Sequence, residues 1–216
     1  MSEKPIPATF FLSKEEKVAR YRELNKTAKK GETVFAGSSL MEMFPIEEIV
    51  AETHPEKTVY NRGIGGFVTD ELLAVLDACI LDLAPSKLFI NIGTNDLTNP
   101  DVTIPGLMEK YSLLLDRVKA ALPGIRLFLL AYYPINELAA PDDRMRAALA
   151  VRTNARINEA NEAVKELAAK HGAAYLDLNG PLKDADGRLK AEWTYEGMHI
   201  REEGYRAIFP LVEPYL

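Results

Sequence analysis

A single cysteine, Cys79, stands in the 216 residues, which excludes an internal disulfide framework. It sits in the apolar run LLAVLDACIL, where a buried thiol packs like a small hydrophobe, so it is expected in the core. Long apolar stretches are also missing, and none approaches the roughly 20 residues needed to span a bilayer. The N-terminal stretch MSEKPIPATFFLSKEEK is broken by charges and prolines and has no apolar centre of the kind a secretory signal carries. A cytoplasmic protein without a membrane partner is the expectation. Basic clusters are absent as well. Lysines and arginines number 26 against 32 acids, a formal net charge of -6 with the signs interspersed, so no nucleic acid partner is expected. Only three histidines occur, His54, His171 and His199, with no shared short spacing and no cysteine beside them, so no metal is expected; no organic cofactor is expected either, because the serine chemistry suggested below needs none.

No repeat, low-complexity tract or Gly/Ser-rich linker divides the chain. With 47% hydrophobic and 27% charged residues it reads as one globular domain over 1–216, long enough to bury about 70% of its unfolded surface. Short apolar runs alternate with helical patterns throughout, the signature of a parallel sheet covered on both faces. The runs are Thr33 to Ala36, Thr58 to Tyr60, Lys87 to Ile92, Arg126 to Tyr132 and Ala174 to Leu178. The third and fourth are nearly continuous and belong at the centre. Helical spacing covers Lys14 to Lys29, Thr69 to Leu81, Ile104 to Ala121, Arg144 to His171 and Glu202 to Leu211. Right-handed crossovers then build an α/β fold, a three-layer αβα sandwich on a five-stranded parallel sheet of flavodoxin-like type, with its site beyond the carboxyl ends of the strands. Residues 134–145 read mostly as loop and as a wall or lid over that site.

Four segments at that edge carry candidate chemistry. The first strand runs into VFAGSSLMEMF, where a serine at a strand-to-helix turn suits nucleophilic attack beside backbone N–H donors, although Ser38 and Ser39 equally suit a helix cap. The second runs into NRGIGGFVTDELL, whose glycines allow close backbone approach to a ligand or simply a tight turn. Their spacing is wrong for a dinucleotide fingerprint, which would require glycine where Val68 stands. The third ends in LFINIGTNDL and brings Asn95 and Asp96 to the same edge, with an amide that either donates to a ligand or makes a local turn. Near the C-terminus Glu196 and His199 stand three residues apart in WTYEGMHIREEGYRAIF. A carboxylate that fixes an imidazole tautomer, and an imidazole that takes a serine proton, are what a weak hydroxyl nucleophile needs. His54 lies in a polar stretch, and His171 falls at a helix C-terminus, where a cation is favoured by the dipole.

Together the four blocks resemble the SGNH hydrolases, also called GDSL-type esterases and lipases. The resemblance implies Ser39 in Gly37-Ser38-Ser39 as nucleophile and first oxyanion donor, Gly66 of NRGIGG as second donor, and the side chain of Asn95 in Gly93-Thr94-Asn95-Asp96 as third. It implies His199 as base and Glu196 as the carboxylate that orients it. Ser38 and Glu196 each replace an aspartate usual in the family. The extra methylene of Glu196 leaves Asp184, Asp186 and Glu192 as other candidates for the imidazole.

The expected function is hydrolysis of a small acyl ester, a short-chain ester or an acetylated carbohydrate. The rival readings are an acyltransferase of the same fold and a noncatalytic carbohydrate- or ligand-binding module. Met41, Met43, Phe44, Phe67 and Trp193 are candidates either for an acyl pocket or for ordinary core. Oligomeric state is unread, a homodimer being compatible with the sequence.

Overall fold

The computed structural model describes residues 11–216; most of the N-terminal stretch read above for a signal lies outside them. Five parallel strands, β1 (Thr33–Gly37), β2 (Val59–Gly63), β3 (Lys87–Asn91), β4 (Arg126–Leu130) and β5 (Ala174–Leu176), form one sheet in the order β2-β1-β3-β4-β5. This is the flavodoxin-like doubly wound order, with the three most apolar strands inside. From β1 the chain adds β2 on one side and then crosses back to add β3, β4 and β5 on the other, so the crevice beyond the carboxyl ends of β1 and β3 is the topological switch point.

Strand residues alternate between the two faces. Val34, Ala36, Leu88 and Ile90 face one core layer; Phe35, Phe89 and Phe128 face the other. The parallel register places these three rings side by side. They stack at 4.5 Å and 4.4 Å between centroids, an aromatic ladder across β1, β3 and β4.

Helices cover both faces: α1 (Lys14–Asn25), α2 (Ser39–Glu42), α3 (Ile46–Thr53), α4 (Thr69–Ala74), α5 (Leu76–Cys79), α6 (Ile104–Ala121), α7 (Asp143–Val151), α8 (Asn154–His171) and α9 (Glu202–Val212). The first layer packs residues of α1, α4, α5, α6 and α8 around Leu72, Leu107, Leu114, Val118 and Val164, with Cys79 buried among them. The second packs α2, α3 and α9 through Phe44, Ile46, Ile49, Tyr205 and Ile208. Local caps set the boundaries: Ser13 forms a capping box with Glu16, and Thr103 accepts from the Gly106 N–H at the start of α6.

Several boundaries differ from the periodicity, among them the ends of β4 and β5, which stop at Leu130 and Leu176 instead of Tyr132 and Leu178. The helix expected over Lys14 to Lys29 stops at Asn25. The helix expected over Thr69 to Leu81 breaks at Val75. The one expected over Arg144 to His171 is two, because the Thr153 hydroxyl accepts from the Arg156 N–H and restarts the chain as α8. Strand β2 also continues through Asn61-Arg62-Gly63, in register with β1 as far as Gly37 opposite Gly63. Gly63 permits this because a Cβ there would lie 2.2 Å from the Glu42 nitrogen, so α2 packs directly onto the strand. Helix α3 falls in a stretch for which no element is expected from periodicity.

His171 closes α8 as expected, but not as an exposed cation. Its ring is buried, its Nε2 lies 2.8 Å from the Ser112 hydroxyl, and burial lowers its pKa, which favours the neutral imidazole. Among the described residues no helix is long and apolar enough to cross a membrane.

Candidate active site

The last residue of β1, Gly37, has φ +152°, and a Cβ there would meet the Asn91 carbonyl oxygen at 2.0 Å, so only glycine turns the chain here. Ser39 follows as the first residue of α2, 9% exposed at the carboxyl edge of the sheet. Ser38 holds the N-cap position but makes no side-chain cap bond, and its buried hydroxyl has no partner. The capping reading therefore fails for both serines: the Ser39 hydroxyl meets His199 Nε2 at 2.9 Å, across 160 residues of sequence.

The second imidazole nitrogen, Nδ1, lies 2.6 Å from Glu196 Oε1, and the same oxygen accepts from the His199 backbone N–H at 3.0 Å. The loop that carries them is closed by an antiparallel bridge between Thr194 and Ile200. Thr194 Oγ1 donates to the His199 carbonyl and accepts from the Gly197 N–H, which curls the loop so that the longer glutamate reaches the ring. The extra methylene is thus absorbed by the turn. Asp184 and Asp186 are spent elsewhere, Asp184 accepting from the Asp186 and Arg188 N–H groups and Asp186 pairing with Arg188 at 2.6 Å, and Glu192 is exposed.

The glycine loop runs beside the serine, since a Cβ on Gly65 would lie 3.8 Å from that of Ser39. The next residue, Gly66, has φ +76°, and neither its N–H nor that of Ser39 is taken by an acceptor among the described residues. Asn95 reaches the same loop: its Nδ2 donates to the Phe67 carbonyl at 2.9 Å, leaving the second amide hydrogen available. Asp96, the neighbour of Asn95, is structural. It accepts from the Thr69 N–H at 3.0 Å and the Thr69 hydroxyl at 3.2 Å, tying the β3 loop to the start of α4, and burial raises its pKa.

Two supports of this site escape the sequence patterns. The Gly65 N–H donates to Glu42 Oε2 at 2.6 Å, and Glu42 is itself held by Lys17 of α1 at 2.6 Å, both side chains being nearly buried. Lys14, one helical turn earlier, bonds the Gly66 carbonyl at 2.9 Å and pairs with Glu71. Glu42 stands three residues after Ser39, so the short helix that presents the hydroxyl also fixes the glycine loop opposite it; that spacing was the only available signal. Arg152 is the other unforeseen residue, buried near Thr94 and Glu196.

A cavity of about 340 Å³ opens against Asn95 and Met198, the neighbour of His199. Of the five candidates for an acyl pocket, none lines it. Met41 and Phe44 are buried in the second layer, against which Met43 and Trp193 also pack, because the aromatic ladder and α9 claim that face, and Phe67 is buried in the first layer. Residues 134–145 do form a wall: Asp142 and Met145 line the cavity, and the Asn136 N–H donates to the Gly197 carbonyl at 2.7 Å. No group of three or more metal-ligating side chains occurs among the described residues.

This geometry places an imidazole against a hydroxyl and a carboxylate against the imidazole, with the glycine loop beside the hydroxyl and the Asn95 amide bonded to that loop; a base, a nucleophile and nearby N–H donors are what forming a tetrahedral oxyanion requires. Removing the Asn95 amide is therefore expected to lower kcat for ester hydrolysis by about 100- to 1,000-fold in Asn95→Ala, with a smaller change in KM. A loss below tenfold, measured with a chromogenic ester, would show that the amide serves only to hold the Phe67 carbonyl.

Comparison with known proteins agrees with this architecture. The description "GDSL-like Lipase/Acylhydrolase family" matches residues 43–207, a span that includes Gly66, Asn95, Glu196 and His199 and begins just after Ser39. The rat protein named platelet-activating factor acetylhydrolase IB subunit alpha1 is 25% identical over 181 residues, 83% of this chain and 72% of its own length. A Streptococcus pneumonia structure provisionally named a platelet activating factor superposes with a TM-score of 0.81 at 30% identity, covering 93% of this chain and 91% of that one. An acetylxylan esterase from Geobacillus stearothermophilus shares the fold at a TM-score of 0.65 and 16% identity, covering 87% of this chain and 94% of its own.

Proposed function

The chain belongs to the GDSL-like lipase/acylhydrolase family, and we propose that it is a serine esterase that hydrolyses small acyl esters through an acyl-enzyme on Ser39. The observation that carries this reading is the continuous relay from Ser39 Oγ to His199 Nε2 at 2.9 Å and from His199 Nδ1 to Glu196 Oε1 at 2.6 Å.

In the proposed mechanism His199 takes the Ser39 proton as the oxygen attacks the ester carbonyl. The ester oxygen then carries negative charge, received by the N–H groups of Ser39 and Gly66 and by the Asn95 amide. His199 returns the proton to the departing alcohol, leaving Ser39 acylated. Water, deprotonated by the same imidazole, attacks the acyl carbon, and collapse of the second tetrahedral species releases the acid and restores the hydroxyl. Each proton taken up by His199 is given back within its half-reaction, so no external acid or base is consumed beyond the water. Glu196 holds the tautomer whose Nε2 accepts and stabilises the imidazolium that forms.

A short acyl group is the favoured substrate feature, supported by the names of two similar proteins, an acetylhydrolase and an acetylxylan esterase. A fluorophosphonate probe tests the chemistry without knowledge of the substrate. One equivalent is expected to attach to Ser39, read as a mass shift on the peptide that contains it, because labelling requires an activated hydroxyl and binding alone does not supply one. An unlabelled native protein would favour the noncatalytic binding module instead. Acyl transfer to an added alcohol, detected as a new ester, would mark the acyltransferase.

A further inference from the structure

Three lysine or arginine side chains are buried among the described residues. Lys17 pairs with Glu42 at 2.6 Å and Arg62 with Glu47 at 3.8 Å, whereas Arg152 has no carboxylate within ion-pair distance. Its exposure is 2%, its one hydrogen bond is a long one of 3.4 Å from Nη1 to the Thr94 carbonyl, and its Nε is buried with no acceptor. A guanidinium has five donors, and burying one with so little to receive them is unfavourable unless an anion answers it.

The charge is not lost by deprotonation. Burial pushes the guanidinium down to about 10, with the field of Glu196 acting in the opposite direction, so Arg152 remains a cation at neutral pH. Glu196 itself is engaged by His199 and leaves the guanidinium donors open.

Arg152 lines the 340 Å³ cavity that reaches Asn95 and Met198, and the remaining walls include the apolar Met145, Ala148 and Leu149. A second cation, Arg144, stands at the same cavity, and its one acid, Asp142, is occupied in capping α7 through the Met145 N–H at 2.7 Å. The space therefore sets two cations against one acid, with the apolar Met145, Ala148, Leu149 and Met198 and the polar Asn95 and Thr98 completing its walls.

We propose that this cavity binds a compact anionic group, a carboxylate or phosphate carried by the ester substrate, with Arg152 as its guanidinium partner. The proposal rests on the esterase reading and deepens it, since it names the feature by which the site selects among esters. The anion belongs either to the acyl part or to the alcohol part, and Arg152 is a specificity-determining residue in both cases.

Two substrate pairs separate the sources: 4-nitrophenyl acetate against 4-nitrophenyl hydrogen succinate for the acyl side, and glycerol 1-acetate against its 3-phosphate for the alcohol side. The charged member of one pair is expected to be preferred at least tenfold in kcat/KM, and Arg152→Met to reduce that preference at least tenfold through KM. Ala148→Glu, at an exposed helical position on the cavity wall, is expected to lower kcat/KM for the charged ester at least tenfold more than for its neutral partner, whereas Ala148→Gln, which adds the same bulk without charge, lowers the two alike; the comparison is independent of how Arg152→Met folds. No preference in either pair, or losses that fall equally on charged and neutral esters, would overturn the proposal and assign Arg152 to the support of Thr94 and Glu196. Should the protein hydrolyse no ester, the esterase reading fails separately. Calorimetry with succinate and with inorganic phosphate then decides the site: binding lost in Arg152→Met sustains it, and no binding of either anion at millimolar concentration ends it.

Discussion

Ser39→Ala is expected to lower kcat for a 4-nitrophenyl ester by about a millionfold while the protein stays folded. The magnitude follows from removing the nucleophile of a cooperating set, where loss of the serine or histidine alone costs about 10⁶. Folding should survive because the hydroxyl has one partner among the described residues, His199 Nε2, and the helix that begins at Ser39 is held by backbone bonds from Met41, Glu42 and Met43 to Ser38 and Ser39 carbonyls. Alanine removes a single oxygen from a position at the sheet edge and leaves the Ser39 N–H available to an oxyanion. The measurement is turnover of the purified variant alongside its circular dichroism and melting temperature. Retention of more than about one part in a thousand of the wild-type rate, in material free of wild type, would take the nucleophile role from Ser39.

The second large effect falls on Glu196. Glu196→Gln preserves size and an acceptor for the His199 N–H but removes the charge and presents an amide to Nδ1. The imidazole is then held in the wrong tautomer and the imidazolium loses its counterion. A fall of about 10⁴ in kcat is expected, as when the corresponding aspartate is made an amide in the serine proteases. Glu196→Asp separates charge from reach. The 2.6 Å contact depends on the longer side chain curling back within the Thr194–Ile200 turn, so aspartate should recover part of the loss, not all of it. If Gln and wild type differ by less than tenfold in kcat, with pH profiles that superimpose, Glu196 shapes the loop and does not serve the histidine.

Much of the fold was legible because its signals are local. The continuous runs LFINI and RLFLLAYY mark strands buried on both faces, and both occupy interior positions of the sheet. Ile104–Ala121 is a helix over the expected span, with Thr103 and Pro105 at its start. Boundaries failed where a contact distant in sequence overrode periodicity. Asn61-Arg62-Gly63 looks like the beginning of a glycine turn, yet pairing with β1 keeps it extended. The apolar pattern from Arg144 to His171 carries no break, while the Thr153 cap divides it. Methionines and phenylalanines near the motifs were ambiguous for the same reason: a side chain 40 residues from its neighbour gives no sign of which layer it fills.

The candidate site divides along the same line. By itself the sequence determined the alternation of strands and helices and the order of the four blocks, and therefore that Ser39, the glycine loop and Asn95 emerge at one edge, since parallel strands carry their following residues to the same side; His199, well beyond the end of β5, was assigned from its spacing to Glu196 and from the family resemblance. Only the tertiary structure decided which carboxylate meets the imidazole, that Lys17 and Glu42 secure the glycine loop, and that Arg152 stands buried beside the cavity without an ionic partner among the described residues. Those are distances between segments separated by tens of residues. Periodicity and turn chemistry act over a few residues and are blind to them, whereas the packing of two helical layers on a twisted sheet sets them to within tenths of an ångström.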